Sequence, residues 1–249
     1  MKSDFDHLRY IQNCRVMIVD DAGKQRSSIC IRDKAVHNLY ELFHTRNNLF
    51  RRAYYHKVST AVEYMVTDAL VAANEVIKVE TDKGKAVKMS EAWKYMSAYQ
   101  KFTDGVLDHI VMSSENGLEK SKTLLRRIYN RDLYKCVYES RPEMVSLKPE
   151  EQIKATIMKA GKDLSQEDFM VKRIIYSYGK EEKNPIENVF FYKKGSNGCS
   201  KMDDPGEVSH FLRSAVFQEE IIRVYLKTSD KETALRQAMD NVEVKEWHR

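Results

Sequence analysis

Residues 43 to 58 read FHTRNNLFRRAYYHKV and set Arg46, Arg51, Arg52 and Lys57 among two histidines and two tyrosines. Three chemistries could use such a mixture: a histidine metal site, a nucleic-acid surface and a clamp for nucleotide phosphates. Glu41-x-x-His44 has the Glu-x-x-His pattern of di-iron helical bundles, with His37 one turn earlier on the same face. A second copy, Glu207-x-x-His210, follows Pro205-Gly206 in a stretch rich in strand signals. A carboxylate-bridged site needs two such motifs on facing core helices and two further glutamates. The second motif sits in the wrong kind of element, so hydrogen-bonded or surface histidines are expected instead. No Walker A loop, G-x-G-x-x-G or G-x-S-x-G occurs, and no His-Asp dipeptide. Gly195-Ser-Asn-Gly198 reads as a hairpin turn between strands.

The basic positions carry more. Arg9, Arg32, Lys34, Arg46, Arg51, Arg52 and Lys57 cluster early in the chain with few acids between them. Arg52, Tyr55 and His56 share a helix face at spacings of three and four, with Arg51 and Tyr54 beside them. Arginine offers phosphate a planar fork, lysine a point charge, and tyrosine a flat face for a base or sugar. The pattern suits a triphosphate or a nucleic acid, and it equally suits a solvated helix face whose aromatics pack inward.

The elements that must hold these residues read as a helical front and a mixed rear. Asp33 is placed to cap a helix burying Val36, Leu39, Tyr40, Leu42 and Phe43. Asn47-Asn48 predicts a break or kink, followed by a helix from about Leu49 to Val76 with Val58, Ala61, Val62, Met65, Val66, Ala69 and Ala73 on its apolar face. TDKGK (81 to 85) is a polar turn. Ser90 is then expected to cap a helix carrying Trp93, Met96, Phe102, Val106 and Ile110, and a further helix spans Leu118 to Tyr129. From residue 132 the pattern changes. LYKCVYE, FMVKRIIYSY, NVFFYKK and EIIRVYLK read as strands, with GKEEKNPIE joining two of them as a long hairpin. Ser229 with Glu232 predicts a capping box opening a last helix through Leu235, Ala238 and Met239.

Composition bounds the class. Among 249 residues, 42 Lys+Arg against 37 Asp+Glu give +5, too small an excess to argue nucleic-acid binding alone. No apolar run approaches ~18 residues and no apolar leader opens the chain, so a soluble, intracellular protein without a membrane partner is expected. Cys14, Cys30, Cys136 and Cys199 are far apart with no C-x-x-C pair, which suits reduced thiols of a nuclear or cytosolic protein.

The run IRDKAVHNLYELFHTRNNLFRRAYYHKV, with MVTDAL, FTD, RDLYKCV, DFMV, EKNPIENVFFYKK and IIRVYLK in order, closely resembles the vertebrate SAM-and-HD-domain deoxynucleoside triphosphate (dNTP) triphosphohydrolase family. The resemblance covers nearly the whole chain. It implies a mainly α fold with a smaller α+β lobe: residues 1–131 as the helical part of an HD-type core, and 132–249 as a C-terminal regulatory and oligomerisation lobe with a small antiparallel sheet. The family cleaves dNTPs to deoxynucleosides and triphosphate, acts as a nucleotide-assembled homotetramer, limits DNA precursors and retroviral copying, and works in the nucleus.

By the same resemblance, Arg131 and Lys135 match one subunit's contribution to a GTP or dGTP activator site. Arg9, Arg32, Lys34, Asn38, Arg52, Lys57 and Lys194 match a second, dNTP activator site. Arg46 and Tyr54 match substrate contacts on phosphate and deoxyribose, and Tyr55 stands where the mammalian enzyme has a glutamine near the substrate. Cys30 matches one cysteine of a redox switch, but Met17 and Lys193 occupy its partners' positions, so the switch is not expected. The family's divalent metal (Zn, Fe or Mg) is held by His, His-Asp and a later Asp, all upstream of the segment matching Phe5. The expectation is therefore a fragment or truncated form that binds no metal and is inactive alone. The alternative is a non-catalytic paralogue that binds nucleotide or single-stranded nucleic acid and modulates the full-length enzyme.

Overall fold

The computed structural model describes residues 5–142, 147–201, 216–242 and 247. The chain folds as an α+β protein. It opens with α1 (His7–Gln12) and a hairpin of β1 (Cys14–Asp21) and β2 (Lys24–Arg32). Ala22 and Gly23 take φ of 57° and 81° at its tip, the mirror-image turn whose twist matches the paired strands. Then come α2 (Val36–Leu49), a π-helical turn over Phe50–Tyr54, and α3 (Lys57–Ala73). A small hairpin, β3 (Lys78–Glu80) and β4 (Ala86–Lys88), precedes α4 (Met96–Tyr99), α5 (Val106–Met112) and α6 (Glu119–Tyr129). The rest comprises β5 (Lys135–Glu139), α7 (Glu150–Ala160), β6 (Phe169–Ser177), β7 (Phe190–Tyr192), β8 (Cys199–Lys201), β9 (Gln218–Leu226) and α8 (Glu232–Asp240).

The described residues form three sheets. β9 lies between β5 and β6, antiparallel to both. β7 pairs in parallel with β2 and antiparallel with β8, so one sheet, ordered β1-β2-β7-β8, joins strands from both ends of the chain. The third sheet is the β3–β4 hairpin. Two of the cores meet at β9. Ala61, Met65, Ala69 and Ala73 line α3 every four residues and meet Leu124 and Leu125 of α6, while Tyr225 of β9 closes the cluster from the rear. The small alanines let the helices approach closely enough for Ser121 Oγ to donate to the Ala69 carbonyl at 2.8 Å. The second core packs Ile153 and Ile157 of α7 and Leu235 and Met239 of α8 onto Phe169, Val171, Ile222 and Val224 of the β5-β9-β6 sheet. β9 thus touches both cores, which is why its apolar run is nearly continuous rather than alternating.

Several expectations are corrected. The front is not wholly helical, because β1 and β2 occupy it; β1 shows its apolar side chains on both faces, Val19 inward and Val16 and Ile18 outward, which hides the period-two signal. Asn47 and Asn48 lie inside α2, and the break falls later, at Tyr55 and His56, where the π turn ends. The helix expected from Ser90 is broken up: Tyr95 is extended, and Trp93 and Met96 face outward. GKEEKNPIE does not close a hairpin, since β6 and β7 belong to different sheets. The Ser229 capping box does not form, because the Glu232 carboxylate accepts from Lys135 and Arg236 instead. α1 and α7 were absent from the expected elements. Glu207 and His210 lie outside the described residues.

Candidate nucleotide-binding site

The π turn is the local device that shapes the candidate site. Tyr55 N donates five residues back to the Phe50 carbonyl at 2.7 Å, which widens the helix by one residue before it ends. His56 then starts α3, its Nδ1 accepting from Val58 N at 3.3 Å. The basic residues along this turn differ in burial. Arg52 and Lys57 face solvent, whereas Arg51 turns inward, stacks 4.0 Å from the Tyr176 ring centroid and pairs with Glu219.

The three substrate candidates collect around one ring. Arg46 lies 4.7 Å over Phe50, Tyr54 packs 5.1 Å from it and Tyr55 5.5 Å from it. Tyr54 remains 61% exposed, and Tyr55 reaches Tyr176 at 5.9 Å. Arg46, Phe50, Tyr55, Ile175, Tyr176 and Ser177 enclose a cleft of about 250 Å³. The Arg46 guanidinium is partly committed there, donating to the Ser177 carbonyl at 3.0 Å.

The activator candidates do not gather in one place. Arg32 and Lys34 flank the end of β2, and Asn38 on α2 exchanges two hydrogen bonds with the Asp6 backbone, at 3.1 and 2.8 Å. Arg9 lies exposed on α1, and Lys194 is exposed just beyond β7, the strand paired with β2. Arg32 is half-buried, and its Nε has no hydrogen-bond partner among the described residues. Lys57 is paired with Glu139 Oε1 at 3.2 Å. Elsewhere, Arg131 takes a left-handed φ of 61° at the exit of α6, and Lys135 is held by Glu232 at 2.8 and 2.9 Å. Lys135 lines a cleft of about 390 Å³ with Arg127 and Lys227.

Sequence reasoning missed the groups that fix this geometry. Arg223 on β9 is only 5% exposed. Its Nε donates to Glu139 Oε2 at 2.5 Å and its Nη1 to the Tyr55 carbonyl. A lone arginine inside EIIRVYLK was the available signal, since a buried guanidinium must be paired. Burial works against ionisation of Glu139, but the bonds from Arg223 and Lys57 outweigh it and hold its carboxyl below the ordinary glutamate value.

The metal reading finds no support in the donor set. Among the described residues, His44 meets the Tyr178 hydroxyl at 3.5 Å, and no three His, Cys, Asp or Glu side chains come together to hold a metal. The donor set among the described residues does not fit a divalent metal. No helix among the described residues is long and apolar enough to cross a membrane.

No family model matches the chain. Curated proteins do. The chain is 38% identical over 240 residues to "Deoxynucleoside triphosphate triphosphohydrolase SAMHD1" of Gallus gallus, covering 92% of this chain and 38% of that protein. It is 37% identical over 242 residues to the Homo sapiens protein of the same name, covering 94% of the chain and 38% of the relative. A Dictyostelium discoideum homolog is 30% identical over 229 residues, covering 90% and 41%. The chain spans about two fifths of the length of these relatives. Along the stretch that it shares with them, the chain is similar to the deoxynucleoside triphosphate triphosphohydrolases.

Proposed function

We propose that this chain is a nucleotide-binding portion of a dNTP triphosphohydrolase, carrying part of the substrate pocket and most of the activator surface without the metal centre. The observation that carries the proposal is the π turn and its flanks, which leave Arg52 and Lys57 exposed while Arg46, Tyr54 and Tyr55 gather around the Phe50 ring. One helical segment then serves two nucleotides, which gives a physical route for coupling them. On this reading residues 1–131 form the helical part of an HD-type core and 132–249 the regulatory lobe. Arg9, Arg32, Lys34, Asn38, Lys194, Arg52 and Lys57 take a dNTP activator, and Arg131 and Lys135 take GTP or dGTP. The working assembly is a nuclear homotetramer that limits DNA precursors. Purified alone, the chain binds dNTPs but releases no triphosphate from dGTP; triphosphate release above a buffer blank would overturn the inactive-fragment reading.

A second reading, single-stranded nucleic-acid binding, is favoured by exposed Trp93 and Tyr99 with Lys94 set 5.8 Å from the Trp93 ring. Oligonucleotide affinity would then fall steeply with salt, and a salt-independent or absent signal counts against it.

A further inference from the structure

Glu139 divides its two carboxylate oxygens between unlike partners. Oε2 takes the Nε of Arg223 at 2.5 Å, while Oε1 takes Lys57 Nζ at 3.2 Å. The two cations differ in freedom. Arg223 is 5% exposed and further fixed by the Tyr55 carbonyl and, at 3.4 Å, by the Tyr176 hydroxyl. The Lys57 side chain is 50% exposed, at the first residue of α3, on a long flexible stem. Arg223 cannot leave Glu139 without stranding a buried charge, whereas Lys57 can leave at small cost.

We propose that Glu139 is a built-in counter-ion that occupies Lys57 until a polyphosphate displaces it, making Glu139 a residue that sets the affinity of this site. The exchange leaves no charge unpaired: Lys57 passes to the anion and Glu139 stays with Arg223. Glu139 belongs to β5, so the exchange also changes how α3 is tied to the β5-β9-β6 sheet. Arg223 acts through Glu139 and the Tyr55 carbonyl as a positioning residue, pinning the point where the π turn gives way to α3. The inference rests on the reading of Lys57 as a phosphate contact, and the probe is chosen to separate the two.

The probe is inorganic tripolyphosphate, titrated calorimetrically at low salt into the 249-residue chain and into its Glu139→Gln, Lys57→Ala and double variants. Glutamine keeps an acceptor for Arg223 but removes the charge. Glu139→Gln should bind tripolyphosphate about 1.5- to fivefold more tightly, the gain expected from losing a partly exposed competing ion pair. That gain should vanish in the Lys57→Ala background. Equal or weaker binding by Glu139→Gln, no binding by any variant, or a gain that persists without Lys57 would overturn the proposal. Carboxyl-carbon NMR of Glu139 in the unmodified chain supplies a test that does not depend on the variant folding. Tripolyphosphate should raise the Glu139 pKa toward the ordinary glutamate value as Lys57 departs, and an unmoved titration contradicts the exchange. If tripolyphosphate behaves as described but dATP binds no tighter than tripolyphosphate, the nucleotide reading fails and the counter-ion stands.

Discussion

Arg46 donates through Nη1 to the carbonyl oxygen of Ser177 at 3.0 Å, joining residues 131 apart in the chain. The bond ties α2 to the end of β6, and the backbone just beyond that strand shapes its surroundings. Gly179 sits beside the guanidinium with φ of +97°, a conformation that side-chain-bearing residues rarely adopt. A Cβ there would lie 3.5 Å from Arg46 Cζ, ordinary contact, so the cost of a side chain is in the backbone rather than in space.

Gly179→Ala should therefore destabilise the fold by about 1–2 kcal/mol through strain at a left-handed position. Urea unfolding checks this, and an unchanged midpoint would mean that the backbone relaxes freely there.

The Arg173–Glu220 pair is the most deeply buried ion pair among the described residues, with bonds of 2.7 Å and side chains 17% and 3% exposed. Glu220 also accepts from Leu147 N at 3.0 Å. Glu220→Ala removes two carboxylate bonds from the Arg173 guanidinium and the acceptor of the Leu147 amide, and should cost about 3–5 kcal/mol. Glu220→Gln, which retains an acceptor, should cost less. Equal losses in the two variants would show that shape, not charge, matters at this position.

Arg223→Ala should lose about 2–3 kcal/mol, because the charge-assisted bonds to Glu139 and the Tyr55 carbonyl go together. Arg223→Lys should recover only part of this, since an ammonium cannot reproduce the guanidinium fork. Full recovery by lysine in thermal melts would reduce the contact to simple charge pairing.

Lys154 on α7 is the opposite case. Burial, followed by the nearby Lys227, lowers its pKa, while Asp68 works the other way. Its ammonium lies 5.4 Å from the Phe169 ring centroid. A lysine whose folded pKa is depressed weakens the fold while it is charged, and the penalty fades as pH rises through that value. Lys154→Met keeps the apolar stem and removes the charge, so it should raise the melting temperature at pH 7. The gain should hold below the lysine's depressed pKa and shrink as pH climbs from there toward the ordinary lysine value. A lower melting temperature at pH 7 would show that the ammonium has a stabilising partner.

The strands β5, β6 and β9 were legible because β-branched and aromatic residues dominate short runs bounded by turn residues. α3 and α6 were legible because their apolar residues recur at helical spacing. The β1–β2 hairpin was not, because Val16, Ile18 and Ile29 sit exposed on its outer face and mask the alternation. The end of α2 was misplaced because a π turn, unlike an asparagine pair, has no distinctive local composition. At the candidate site the cations were visible as a cluster, but their partners were not. Glu139 and Arg223 are 84 residues apart, and only the register of β5 on β9 brings them together.

The most direct test is calorimetric titration of dATP into the chain, compared with its Arg52→Ala and Lys57→Ala variants. The account predicts saturable binding by the unmodified chain. Each variant should weaken it by about 1.5–3 kcal/mol, the loss expected for one charge-assisted phosphate contact. No binding by the unmodified chain, or full-strength binding by both variants, would contradict it.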